Sequence, residues 1–249
     1  RASWARVGST PALQSWYAAI VCDLDGVVYP GPTAVPHAVE ALRTSPLPVI
    51  YATNNASRPP ADVATHLREL GLPCDPESVA TSSQAGARLI ADRVPPGSSV
   101  LALGGPGVAM ALREAGLRAV LPDAVDAHRL VAVLQGYGAQ VTASHLAEAA
   151  YAVQAGATWV ATNTDATLPT DRGVAPGNGS LVAAVQRAVG RAPDLVAGKP
   201  SPPLYLMSAD RLAVPADRVL AVGDRLDTDI EGAVAAGMDS LLVLTGVDD

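Results

Sequence analysis

The chain has 249 residues, 49% of them apolar and none of them Phe, enough for one large α/β domain or a core with an inserted module, and too apolar for disorder. Its formal net charge is −7 and no Lys- or Arg-rich run occurs. Non-specific nucleic-acid binding needs clustered cations to displace counterions, so this balance argues against nucleic acid as a partner. An acidic protein with an anionic substrate must neutralise that charge locally, with a metal ion, a lysine and backbone amides.

From Arg1 to Trp16 there is no apolar stretch of the signal-peptide kind, about 7–15 residues long. No apolar run reaches the roughly 18 residues needed to span a bilayer. The expectation is a soluble, cytoplasmic protein with no membrane partner. Cys22, in an apolar run, and Cys74, in a Pro-flanked loop, read as unpaired thiols of a reducing compartment.

In chain order, residues 18–22 form a short apolar run that ends at Asp23-Leu24-Asp25-Gly26. A helix-like stretch follows at 34–43, then an apolar run at 48–52 that ends at Thr53-Asn54-Asn55, then a helix-like stretch at 60–70. Later runs at 195–197, 219–222 and 240–244 end at Gly198-Lys199-Pro200, Gly223-Asp224-Arg225 and Thr245-Gly246, with a helix-like stretch at 229–236. Alternating strand and helix patterns imply a parallel sheet with helices on both faces, and continuous apolar strands fit burial on both sides. In such folds ligands bind beyond the carboxyl ends of the strands, where four runs here deliver a carboxylate, a hydroxyl or a lysine.

The distance from Asn55 to Lys199 is too long for one crossover. It holds its own alternation, strand-like at 99–103, 130–136 and 158–161 and helix-like at 107–115, 144–155 and 180–189. Residues 86–193 therefore read as an inserted α/β module, with 1–85 and 194–249 forming the core. Gly104-Gly105-Pro106-Gly107 lies between a strand and a helix, but Gly-x-Gly-x-x-Gly spacing is absent and a turn is the better reading. His37, His66, His128 and His145 have no metal-ligand spacing and read as surface or helix-face residues.

Asp23 and Asp25, two residues apart at a strand end, suit a hard divalent cation, and a carboxylate can also attack phosphorus. Gly26 permits a tight turn and close approach of backbone to a ligand. Thr53 suits a phosphate clasp at a strand-to-helix junction and equally suits a turn. Lys199 is the only lysine in the chain, a compact charge able to hold a phosphate. Asp224 is placed to ligate a metal, Asp229 to cap a helix or orient a neighbouring group, and Asp227 to be structural.

With these four segments in order, each after an apolar strand, the chain resembles the haloacid dehalogenase-like phosphohydrolases over residues 18–247. Gly223-Asp224 with Asp229, and the Thr53-Asn54-Asn55 triplet, are most similar to the branch with a large α/β cap between the second and third motifs. That branch includes the NagD-like, 4-nitrophenylphosphatase-like, pyridoxal-phosphate, phosphoglycolate and glycerol-phosphate phosphatases. The resemblance implies a Rossmann-like parallel-sheet core with an inserted α/β cap, commonly a homodimer through the cap, and further core elements beyond Asp249.

It also implies roles. Asp23 would be the nucleophile, and Asp25 would protonate the leaving alcohol and later activate water. Mg²⁺ would be held by Asp23, the main-chain carbonyl of Asp25, and Asp224. Thr53, main-chain amides near Asn54, and Lys199 would bind phosphoryl oxygens, with Asp229 in support. The cap loop facing the site would start at Thr162-Asn163-Thr164-Asp165 and run through Leu168 to Gly179. It has no aromatic residue and no histidine, so a pyridine ring would find no flat partner. Asn163 and Asp165 suit a short hydroxylated metabolite, with glycerol 3-phosphate the expected substrate and phosphoglycolate, pyridoxal phosphate or 4-nitrophenyl phosphate the alternatives. A phosphoryl-transfer mutase is the other reading of the same motifs.

Overall fold

Side chains buried on both faces of a sheet leave no polar alternation, and the short apolar runs become strands of two parallel sheets. The computed structural model describes residues 15–31, 33–125, 129–170 and 172–246. His128, residues 1–14 and residues 247–249 lie outside the described residues.

In chain order, β1 (Ala19–Cys22), α1 (Ala38–Thr44), β2 (Val49–Thr53), α2 (Pro60–Glu69), β3 (Val79–Thr81) and α3 (Ser82–Ala91) come first. Next are β4 (Ser99–Leu103), α4 (Pro106–Glu114), β5 (Arg118–Val120), β6 (Ala132–Gln135), α5 (Ala143–Gln154) and β7 (Thr158–Ala161). An antiparallel hairpin of β8 (Thr167–Thr170) and β9 (Gly173–Pro176) precedes α6 (Asn178–Val189) and β10 (Leu195–Val196). The chain ends through α7 (Pro203–Leu212), β11 (Val219–Gly223), α8 (Glu231–Ala235) and β12 (Asp239–Leu242).

The first sheet has the order β12-β11-β1-β2-β3, with every pairing parallel. From β1 the chain moves outward through β2 and β3 and later fills the other flank with β11 and β12. The boundary between β1 and β11 is thus a topological switch point, where connections diverge and leave a crevice at the carboxyl edge. Asp23 follows β1 and Asp224 follows β11, so the topology puts both acids there.

The second sheet, β10-β7-β6-β4-β5, is also parallel. Residues 195–197, expected with the core strands, instead join this sheet, with Leu195 paired to Val160 and Val196 to Ala161. An apolar run this short says that a strand exists but not which sheet edge it completes. The helix expected at 229–236 is shorter, because Leu226–Ile230 form a wider π-helical turn and Asp229 sits inside it rather than at a cap.

Helix α3 is absent from the sequence reading, although Thr81-Ser82-Ser83-Gln84 carries the capping-box signature. Gln84 N donates to Thr81 Oγ1 (3.3 Å) and Thr81 N donates to Gln84 Oε1 (3.1 Å). Gly86, read as the start of the insertion, is in the middle of this helix, and a methyl group there would meet Leu134 Cδ1 of β6 at 2.5 Å. The close seat places α3 between the sheets. One buried cluster joins Val21 and Ile50 of the first sheet, Ala87 and Ile90 of α3, Leu204 of α7, and Val100, Leu134 and Val160 of the second. Among the described residues no helix is long and apolar enough to cross a membrane.

Candidate active site

At the switch point, four charged side chains are almost completely removed from water: Asp23 is 8% exposed, Lys199 4%, Asp229 2% and Asp224 1%. Lys199 Nζ donates to Asp23 Oδ1 and, at 2.7 Å, to Asp229 Oδ1. One oxygen from each of Asp23, Asp224 and Asp229 lies within 4.8 Å of the others. Three buried carboxylates thus face one ammonium, and buried charge without compensation is costly. Burial pushes Asp23 up to about 8; Lys199 pulls it down, while Asp229 and Asp25 add to the rise. Burial opposes the charge on Lys199, but Asp229 and Asp23 outweigh it and hold its pKa well above the usual lysine value.

These oxygens fit a small hard cation, which prefers carboxylate and carbonyl ligands and would balance the excess negative charge. Gly26 keeps the space for one of these carboxylates. The turn after β1 places Gly26 at φ 87° against Asp224, and a methyl group there would overlap Asp224 Oδ2. Gly26 N donates to Tyr29 O (3.0 Å), and Gly26 O accepts from Thr245 Oγ1 (2.7 Å). The Asp25 carboxyl is outside the three-acid cluster. Burial raises its pKa, Asp224 adds to the rise, and Lys199, Arg58 and His66 oppose it.

Thr53 is buried at the end of β2, and its Oγ1 accepts from Asn55 N (3.0 Å), shaping the turn. Asn54 ties three segments together. Its Oδ1 accepts from Lys199 N (2.8 Å), and its Nδ2 donates to Lys199 O (3.0 Å) and Asp165 Oδ2 (3.1 Å). Its carbonyl accepts from Asn163 Nδ2 and Ser82 Oγ, both at 2.7 Å. Ser83 Oγ donates to Ala56 O (2.7 Å), so two buried hydroxyls at the start of α3 hold the loop after β2. The sequence reading lacks both serines, whose signal is the capping box they belong to. Opposite them, Gly107 N donates to Ser57 O (3.1 Å), and a methyl at Gly107 would come within 2.6 Å of Ala56 O. The glycine-rich turn after β4 is therefore a seat for this loop.

Of the expected substrate contacts in the cap, Asn163 is buried and engaged with Asn54, and Asp165 is half-buried and shares the Asn54 amide. Both fix the cap loop to the core. Leu168 is half-buried on β8. Asp227 forms an exposed two-point pair with Arg225, at 3.0 and 2.9 Å. A cavity of about 330 Å³ opens beside Asp25 and Thr53, with Arg58 and His66 in its wall. Arg58 has no place in the sequence reading, and His66 appears there only as a helix-face residue, because neither lies in a recognisable spacing with the acids.

Residues 20–118 match the family model described as haloacid dehalogenase-like hydrolase, and residues 196–249 match a second, HAD-hydrolase-like model. The D-glycerol 3-phosphate phosphatase of Mycobacterium tuberculosis is 48% identical over 231 residues, 92% of this chain and 63% of that protein. The chain therefore spans less than two thirds of the length of this relative. An acid sugar phosphatase of Staphylococcus aureus is 38% identical over 93% of this chain and 88% of its own length. Among solved structures, a glycerol phosphate phosphatase from M. tuberculosis in complex with magnesium superposes with a TM-score of 0.89 at 45% identity, covering 95% of this chain and 71% of that one. A p-nitrophenyl phosphatase from Archaeoglobus fulgidus gives 0.85 at 31% identity, covering 93% and 88%. The chain belongs to the haloacid dehalogenase-like hydrolases.

Proposed function

We propose that the chain is a Mg²⁺-dependent phosphomonoester hydrolase that cleaves glycerol 3-phosphate through an aspartyl-phosphate on Asp23. The observation that carries this reading is the convergence of Asp23, Asp224, Asp229 and Lys199, from distant parts of the chain, within one buried cluster. The relatives named glycerol phosphate phosphatase support the substrate. The sheet β12-β11-β1-β2-β3 serves as the catalytic core, and the sheet β10-β7-β6-β4-β5, which takes in Leu195 and Val196, as the cap. A second copy of the chain is the expected macromolecular partner, through a cap surface that exposes Tyr151 and Val174. Two buried, unbridged cysteines fit a cytoplasmic location.

A carboxylate oxygen of Asp23 attacks phosphorus, and the bond from phosphorus to the alcohol oxygen breaks on the opposite side. Asp25 gives its proton to that oxygen as it leaves. Water then attacks the phosphorus of the aspartyl-phosphate, Asp25 takes a proton from it, and Asp23 is released with inorganic phosphate. Burial of Asp25 favours its protonated form, as a proton donor requires. Lys199 and Thr53 hold the phosphoryl oxygens in line, which is most of what phosphoryl transfer demands. Asp23, the main-chain carbonyl of Asp25, and Asp224 would hold Mg²⁺, with Asp229 in support. When bound, the ion offsets the repulsion between carboxylate and phosphate and keeps Asp23 ionised.

The test is phosphate release from glycerol 3-phosphate, phosphoglycolate, pyridoxal phosphate and 4-nitrophenyl phosphate, with and without chelator. Glycerol 3-phosphate is expected to show the highest kcat/KM, and chelator to abolish turnover. Asp23→Asn is expected to lower kcat by at least about 10³-fold with the fold retained by circular dichroism. Appreciable turnover by that variant would remove the nucleophile and the mechanism with it.

A further inference from the structure

The cavity beside Asp25 has a wall that is rich in hydrogen-bond donors. Arg58, Tyr29, His66 and Asn55 contribute to it, facing Asp25 and Thr53. Asn55 Oδ1 accepts from Ser57 N (3.0 Å) and Ser57 Oγ (2.7 Å), which fixes the amide with its N–H groups as the remaining function. The His66 ring packs edge-on against Tyr29, with centroids 4.8 Å apart. Among the described residues the Arg58 guanidinium has no hydrogen bond and no ion pair, unlike Arg43, Arg88, Arg191 and Arg225, which each pair with a carboxylate. A volume near 330 Å³ is at the small end of ligand pockets, which run from ~300 to 1,000 Å³, and suits a group of a few carbons.

The alcohol must leave on the side of the acid that protonates it, and Asp25 forms part of this cavity. We infer that the cavity is the leaving-group subsite and that Arg58 is its specificity-determining residue, donating to the hydroxyl oxygens of a short polyol. The inference rests on the phosphatase reading above and names the part of the chain that recognises its product alcohol. A short polyol fits the wall, because Tyr29, Asn55 and His66 beside Arg58 spread hydrogen-bonding groups around the cavity for several hydroxyls. Arg58 lies in the loop held by Ser83 and by the Gly107 amide, so its backbone is fixed although its side chain is exposed.

The experiment compares wild type, Arg58→Met and Arg58→Lys on glycerol 3-phosphate, phosphoglycolate and 4-nitrophenyl phosphate, whose leaving group has no further hydroxyl. Arg58→Met is expected to raise KM for glycerol 3-phosphate about tenfold, the scale of one or two hydrogen bonds to a charged donor, with kcat little changed. The ratio of kcat/KM for glycerol 3-phosphate to that for 4-nitrophenyl phosphate falls about tenfold, and Arg58→Lys recovers part of it. This ratio does not depend on how much of the variant is folded. Calorimetric binding of glycerol 3-phosphate to Asp23→Asn, with and without Arg58→Met, reads the same contact without turnover and is expected to weaken about tenfold. Protein that binds the ester in this Arg58-dependent way but does not cleave it overturns the phosphatase reading alone. An unchanged ratio and unchanged binding overturn the subsite, as does a larger loss on phosphoglycolate, or wild-type protein that does not bind glycerol 3-phosphate.

Discussion

Asp224 owes its position to two residues that have no side chain to put in its way. Gly26 and Gly246 both lie so close that a methyl group on either would overlap its carboxylate. At Gly26 the backbone is also left-handed, at φ 87°, where an L side chain costs roughly 1–2 kcal/mol. Gly26→Ala is therefore expected to lose at least about that much in denaturant unfolding and to displace Asp224. If Asp224 holds Mg²⁺, affinity for the ion should fall by ~10–100-fold, as when a ligand's supporting groups are altered. Calorimetric Mg²⁺ titration checks this, and unaltered affinity would detach Asp224 from the metal. The two thiols contrast with these acids. Cys22 is buried and its pKa is driven upward by burial and by Asp23, and burial raises Cys74 to about 11, so both are structural fillers.

At the scale of elements, the loop after β2 and the segment after β10 are joined by Asn54, which completes both hydrogen bonds of the Lys199 peptide group and reaches Asp165 in the cap loop. Asn54→Ala is expected to cost about 2–3 kcal/mol, since it strips partners from half-buried backbone groups. A double-mutant cycle with Asp165→Ala is expected to give a coupling of about 1 kcal/mol in denaturant unfolding. Simple additivity would mean that the cap loop is held by Asn163 and the backbone alone. Much of this level is legible in the sequence. The ends of β1, β2 and β11 follow from apolar runs stopping at polar residues, and Lys199 draws attention as the only lysine. The sheet that β10 joins is not legible, because Leu195 and Val196 would suit either sheet. Arg58 and His66 escape notice because their relation to Asp25 is spatial rather than sequential.

For the whole molecule, the buried cluster running from β1 and β2 through α3 and α7 into β4, β6 and β7 makes the two sheets share one interior. Opening either sheet alone would expose the faces of α3 and α7 that the other needs. The protein is therefore expected to unfold in one calorimetric transition, with calorimetric and van't Hoff enthalpies in agreement. Two resolved transitions would show that the seam along α3 is weaker than either sheet. On the proposed reading, the net charge of −7 would not act against an anionic substrate, since neutralisation would take place at one buried lysine and a cation held by the three clustered acids rather than over the surface.

The amino-acid order by itself pointed to the α/β class and to the acids and the lysine that gather at the switch point, because strand ends and turn chemistry are local properties written in neighbouring residues, and its motifs carried the resemblance to the family. Only the tertiary structure decided that residues 195–196 close the second sheet, that Ser82 and Ser83 hold the loop after β2, that Asn163 and Asp165 bind the core, and that Arg58 looks into the cavity beside Asp25. Those relations join residues far apart in the chain, and their energies depend on burial and partner geometry that exist only once both sheets have packed on α3.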